Sequence, residues 1–186
     1  QWYARLLNDL GRFDDSEVMI KRAHELDPLS SVISMNVSIM YQLRNDHNAS
    51  VENSLKLIAL DPYFSGGYRV LGLSYLKQGR DADAIANMEK AVELSNRAGL
   101  DLAELGYSYG VLGKSADAVA IANELKDKYA RKEATGKHVA AVYAGLGDKD
   151  NAFEWLEKDF QSRGSFVSIR WEIPFESLRD CPRYKD

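Results

Sequence analysis

Residues 68–84 read YRVLGLSYLKQGRDADA and residues 102–118 read LAELGYSYGVLGKSADA, one pattern moved along by 34 positions. Tyr75 and Tyr109 share a column that extends to Tyr41 and Tyr143, with Leu7 in the same register before Tyr41. Three residues before each of these stands something small: Ala4, Ser38, Gly72, Gly106 and Ala140. The residue before that is apolar, at Tyr3, Val37, Leu71, Leu105 and Val139. A second small column follows at Ser16, Ser50, Ala84, Ala118 and Ala152. Self-similarity at a fixed period of roughly 20 to 50 residues marks a repeat architecture. Gly11, Gly79, Gly113 and Gly147 punctuate the pattern, with Asn45 standing in once. Gly and Asn tolerate the left-handed backbone that ends a helix, so each unit reads as helix, tight turn, helix.

Local signals agree. Asp14 or Asp15, Ser115 and Asp148 adjoin the turns, where their oxygens can accept from the unpaired N–H groups of a second helix. Asp27-Pro28 and Asp61-Pro62 close two units, and Ser30 or Ser31 and Ser65 are placed to cap the helices that follow. The expected helices are 1–10, 14–26, 31–43, 48–60, 66–78, 82–95, 99–112, 115–131, 135–146 and 149–162. No strand pattern competes. Residues 165–186 break the period and carry Phe166, Trp171, Ile173 and Phe175.

Composition bounds the function. In 186 residues, 24 Lys+Arg against 28 Asp+Glu leave a net charge of −4, which gives no general attraction for nucleic acid. Hydrophobic residues at 45% and charged residues at 28% describe a folded chain rather than a disordered one. Apolar runs are too short for a transmembrane helix or a signal peptide. Cys181 is alone, so no internal disulfide forms, and no Cys/His spacing suits zinc. This balance leans toward a cytoplasmic protein. Gln1, rather than Met, heads the chain, which suggests a start inside a longer polypeptide.

Tyr68-x2-Leu71-Gly72-x2-Tyr75 and Leu102-x2-Leu105-Gly106-x2-Tyr109, with Ala84 or Ala118 and with Pro28 and Pro62 in other units, resemble the tetratricopeptide repeat. The resemblance implies an all-α, right-handed α-solenoid of about five helix-turn-helix units: a partial unit at 1–30, then 31–64, 65–98, 99–132 and 133–164. The sequence departs from the pattern where Asn96, Ala130 and Gly164 replace the terminal Pro, and where Asp159 stands in place of an Ala packed between helices. Residues 165–186 are expected to cap the open end, with Pro174 in the first turn of a short helix and Phe175 and Leu178 on one face. The tail also resembles the segment after such repeats in bacterial multidomain regulators.

Physically, the small columns let paired helices approach to about 8–10 Å between axes while Tyr and Leu fill the gap to the next unit. One pair cannot bury both of its apolar faces, so stability is shared between neighbours. The family's register puts the peptide-binding groove on the first helices, at Arg5, Asn8, Met35, Ile39, Gln42, Arg69, Leu73, Leu76, Ala103, Tyr107, Gly110, Lys137, Ala141 and Ala144. Members that clamp a terminal carboxylate use Lys, Arg and Asn at sites that here hold Met35, Ile39, Leu73 and Ala103, so an apolar groove is expected instead.

Catalysis finds little support. His24, His47 and His138 share no i, i+4 face for a metal, and Gly66-Gly67 lacks the strand and the Gly-Lys-Ser/Thr of a phosphate loop. Lys126, Lys128, Arg131, Lys132 and Lys137 read as a solvated basic face. The expected protein is a noncatalytic scaffold for a protein or peptide partner, with no cofactor, no metal, no nucleic acid and no membrane insertion. A homodimer formed by exchanging the tail is a further expectation. The alternatives are the sensory or regulatory part of a larger bacterial transcription regulator, kinase or cyclase, or a noncatalytic part of a repeat-bearing transferase.

Overall fold

The computed structural model describes residues 1–162 and 169–184. Among the described residues there is no strand, and ten α-helices follow one another: α1 (Trp2–Asp9), α2 (Phe13–Leu26), α3 (Ser31–Leu43), α4 (His47–Leu60), α5 (Ser65–Lys77), α6 (Asp81–Leu94), α7 (Gly99–Val111), α8 (Ser115–Ala130), α9 (Gly136–Gly145) and α10 (Lys149–Gln161). Every bound lies within one residue of the position that periodicity gives it. Two 3-10 segments, Ile173–Leu178 and Pro182–Tyr184, complete the chain.

The helices divide into two compact units, Gln1–Ser95 and Asn96–Asp186. In the first, each helix from α2 to α6 packs on the one before it, and α3 also meets α5. In the second, α7 packs on α8 and directly on α9, α8 on α9, and α9 on α10 and on the first 3-10 segment.

The turn column takes the left-handed backbone, with φ of 73° at Gly11, 70° at Gly79, 74° at Gly113 and Gly147, and 57° at Asn45. The second small column is sealed: Ser16, Ser50, Ala84, Ala118 and Ala152 are all 0% exposed. Gly72, in the first small column, shows why size matters, since a Cβ would stand 2.9 Å from Met88 Cγ and 3.1 Å from the Ala84 carbonyl. The first unit's core has two centres. Ala4, Ile20, Ile33, Val37 and Met40 join α1, α2 and α3. Leu71, Tyr75 and Ala84, with Val51, Ile58 and Leu76 around them, join α4, α5 and α6.

That unit also contains a buried polar seam. Ser54 Oγ donates to Ser38 Oγ (2.9 Å), Asn53 Nδ2 donates to the Ser34 carbonyl (2.8 Å) and to Ser38 Oγ (2.9 Å), and Ser74 Oγ donates to Ser50 Oγ (2.9 Å). Hydroxyls occupy the small columns at little cost in volume, and pairing across the helices removes the penalty of burying them.

Capping follows the expected chemistry at some ends only. Asp148 accepts from the Asn151 N–H (3.1 Å) and Ser30 from the Ile33 N–H (3.4 Å). Asp46 caps α4 in the same way, accepting from Ala49 at 3.0 Å. Ser65 and Ser115 are instead the first residues of their helices, behind Phe64 and Lys114, and neither cap position makes a side-chain bond. Asp14 and Asp15 lie in the first turn of α2, where they complement the helix dipole. Asp159 has a structural reason to replace the usual small residue. It is 2% exposed, and its Oδ1 accepts from the Gly136 N–H at 2.7 Å, so a residue of α10 satisfies the start of α9.

In the described part of the tail, Pro174 occupies the first turn of a 3-10 rather than an α segment, and Phe175 (1% exposed) and Leu178 (0%) are each buried. Trp171 is half-buried. Phe166 and the boundary at Gly164 and Ser165 lie outside the described residues.

Candidate peptide-binding surface

The inner-register residues fall into two groups. In the first unit, α1 leaves Arg5 exposed and Asn8 half-buried, α3 leaves Met35 and Ile39 half-buried, and α5 leaves Arg69 and Leu76 half-buried. Arg69 Nη2 lies 3.4 Å from Met35 Sδ, tying the two helices at this level. The Asn8 Oδ1 is enclosed and has no hydrogen-bond partner among the described residues. An enclosed acceptor left this way costs on the order of 1–3 kcal/mol.

Two expected groove residues of this unit have structural roles instead. Gln42 is buried, and its Nε2 donates to the Val70 carbonyl (2.9 Å) and to Ser74 Oγ (3.0 Å), bridging α3 to α5. Leu73, 4% exposed, belongs to the core.

The second unit closes the same register. Ala103 (2% exposed), Tyr107 (8%), Ala141 (5%) and Ala144 (4%) are buried. Gly110 and Gly145 explain how: a Cβ on Gly110 would stand 2.6 Å from Gly145 C, and one on Gly145 would run into the Tyr107 carbonyl oxygen and stand 2.8 Å from the Tyr107 Cα. The backbones of α7 and α9 therefore touch, and Gly110 faces a neighbouring helix rather than open space.

Lys137, half-buried on α9, forms an ion pair with Glu172 beside the first 3-10 segment, Nζ to Oε1 2.9 Å. Burial pushes the Tyr107 phenol up to about 12, and the charge of Glu176 adds to the rise. Neither contact was legible from the repeat, because the tail lies outside its period.

The remaining chemistry-bearing groups have local roles. Burial lowers His138 to about 4, with the charge of Lys137 acting in the same direction, and its Nδ1 accepts from the Thr135 N–H at 3.2 Å. It is a neutral capping group at ordinary pH. Lys126 donates to the Tyr143 hydroxyl (2.7 Å), and Arg131 and Lys128 pair with Glu133, so much of the basic stretch is engaged within its own unit. Among the described residues no cluster of three or more His, Cys, Asp or Glu is placed to hold a metal, and no helix is long and apolar enough to cross a membrane.

The family model described as Tetratricopeptide repeat matches residues 68–97. Residues 68–97 carry a tetratricopeptide repeat. Solved structures resemble it over most of its length. TTC0263, a thermophilic tetratricopeptide-repeat protein of Thermus thermophilus, matches with a TM-score of 0.72 at 22% identity, covering 95% of each chain. MamA matches with a TM-score of 0.54 at 20% identity, over 86% of this chain and 94% of its own. YrrB, a tetratricopeptide-repeat protein with an unusual peptide-binding site, matches with a TM-score of 0.50 at 17% identity, over 86% of this chain and 82% of its own. At these identities the likeness is one of fold. No curated protein sequence matches the chain at a significant level.

Proposed function

We propose that the chain is a noncatalytic protein-interaction scaffold whose first unit holds an extended or helical segment of a partner against α1, α3 and α5. The observation that carries this reading is the partial exposure of Met35, Ile39, Arg69 and Leu76 in one register. Half-exposed aliphatic side chains next to a few polar groups supply anchors and orientation, which is how a helical groove recognises a segment. The fold likeness to YrrB, described with a peptide-binding site, supports it.

Selection from a displayed peptide library, followed by anisotropy titration of the selected peptides, tests the reading. Met35→Asp with Ile39→Asp is expected to weaken binding at least tenfold while helicity stays unchanged. Peptides that bind the double variant as well as they bind the parent would refute it. Leu73 and Tyr107 are unsuitable for this test, because both are buried and their loss reports on folding.

A further inference from the structure

The second unit carries on its own first helices a segment whose contacts are chemically specific. Glu172 reaches Lys137 at 2.9 Å, and Glu176, four residues on, lies close enough to Tyr107 for its charge to act on the phenol. Lys137 and Tyr107 both belong to the inner register, on α9 and α7. Between and just beyond the two carboxylates, Phe175 and Leu178 are buried. The Arg179 Nη2 donates to the Glu172 carbonyl at 3.2 Å, holding the segment in a compact turn. Further along, Arg183 pairs with Asp150 (3.3 Å) and Glu157 (2.8 Å) on α10 and stands 4.8 Å from the centre of the Phe153 ring. The segment is thus held by carboxylates on one side, an arginine on the other and an aromatic residue between them.

We infer that the α7–α9 face is a receptor for an acidic segment with an aromatic anchor, that residues 172–178 (EIPFESL) occupy it in cis, and that a partner of the same chemistry enters by displacing them. The inference stands on contacts of the second unit alone and survives if the first unit binds nothing. The cationic donor of Lys137, the Tyr107 phenol and the burial of Phe175 favour a short acidic peptide with an aromatic residue over a basic or purely aliphatic one. The ion pair keeps 19% and 33% side-chain exposure, so the hold on the tail rests mainly on the buried Phe175 and Leu178, and exchange turns on those two side chains.

The test uses the full chain and a fluorescein-labelled peptide with the sequence of residues 170–180, RWEIPFESLRD. Anisotropy titrations compare the parent with a Glu172→Lys, Phe175→Ala variant, and circular dichroism checks that helicity is retained. The variant is expected to bind the peptide at least tenfold more tightly than the parent. Adding Lys137→Glu should abolish that gain, and a peptide carrying Lys in place of Glu172 should restore it. Should Phe175→Ala lose helicity, Glu172→Lys alone is used, with a gain of at least threefold expected. Equal affinity in parent and tail variants overturns the inference, as does binding indifferent to the charge at residue 137. Sedimentation of the parent as a tail-exchanged dimer would also overturn it, because the occupant would then be a second copy.

Discussion

Between α3 and α5 the inner register is spanned by long side chains, Arg69 against Met35 and Gln42 against Val70 and Ser74. Between α7 and α9 it is spanned by backbone, at Gly110 and Gly145. The repeat period is the same in both places. What differs is the bulk of the residues in the groove columns, and that bulk sets how far apart successive first helices stand. Met35, Ile39, Arg69 and Leu76 keep an inner face partly open, whereas Ala103, Ala141 and Ala144 let it close. One architecture therefore offers a surface in one unit and a tail-bearing packed seam in the other.

The sharpest way to break this contrast is Gly145→Ala. The new methyl would run into the Tyr107 carbonyl oxygen and meet its Cα at 2.8 Å, and backbone cannot step aside as a side chain can. Urea denaturation should show a loss of about 3 kcal/mol or more. In the first unit Gly67 faces α4 through side chains only, Ile58 (3.1 Å) and Leu57 (3.3 Å), and Gly67→Ala should cost about 1 kcal/mol or less.

Acid should separate the units next. His138 is held near 4 against an ordinary 6.5, so the folded state binds fewer protons than the unfolded one between those values. Its contribution is complete above pH 6.5 and drains as pH falls to 4, reaching about 3 kcal/mol at about 1.4 kcal/mol per unit. Denaturation curves at pH 7.5, 5.5 and 4.5 should show this loss, and His138→Asn, which keeps an acceptor for the Thr135 N–H, should flatten it.

Smaller effects probe single bonds. Asp159→Ala strands the Gly136 N–H and should cost on the order of 1–3 kcal/mol. Gln42→Leu, in the first unit, should cost only about 1 kcal/mol, because the single Ser74 hydroxyl proton can turn from Ser50 Oγ to the Val70 carbonyl 3.0 Å away. Thermal melts of the two variants side by side would rank them.

The helices were legible almost to the residue, because turn glycines, small columns and the Tyr column are spaced by backbone geometry alone. The groove was less legible. A register states which way a residue points from its own helix, but exposure also depends on how near the next helix comes, and that is decided by pairs such as Gly110 and Gly145 far apart in sequence. Gln42 was hidden for a related reason, since its amide could equally meet a ligand or the Val70 carbonyl. The Glu172–Lys137 pair joins an aperiodic segment to a periodic one, and no pattern in either announces it.

The serine-rich seam of the first unit has its own consequence. Methyl groups interlock almost as well after a helix slides by one turn, but Ser38, Ser50, Ser54 and Ser74 find partners in one alignment only. A slipped hairpin would strand enclosed hydroxyls, so this half of the molecule is keyed like a lock, whereas the alanine columns of the other half align by shape and leave the polar key to single bonds such as Asp159 to Gly136.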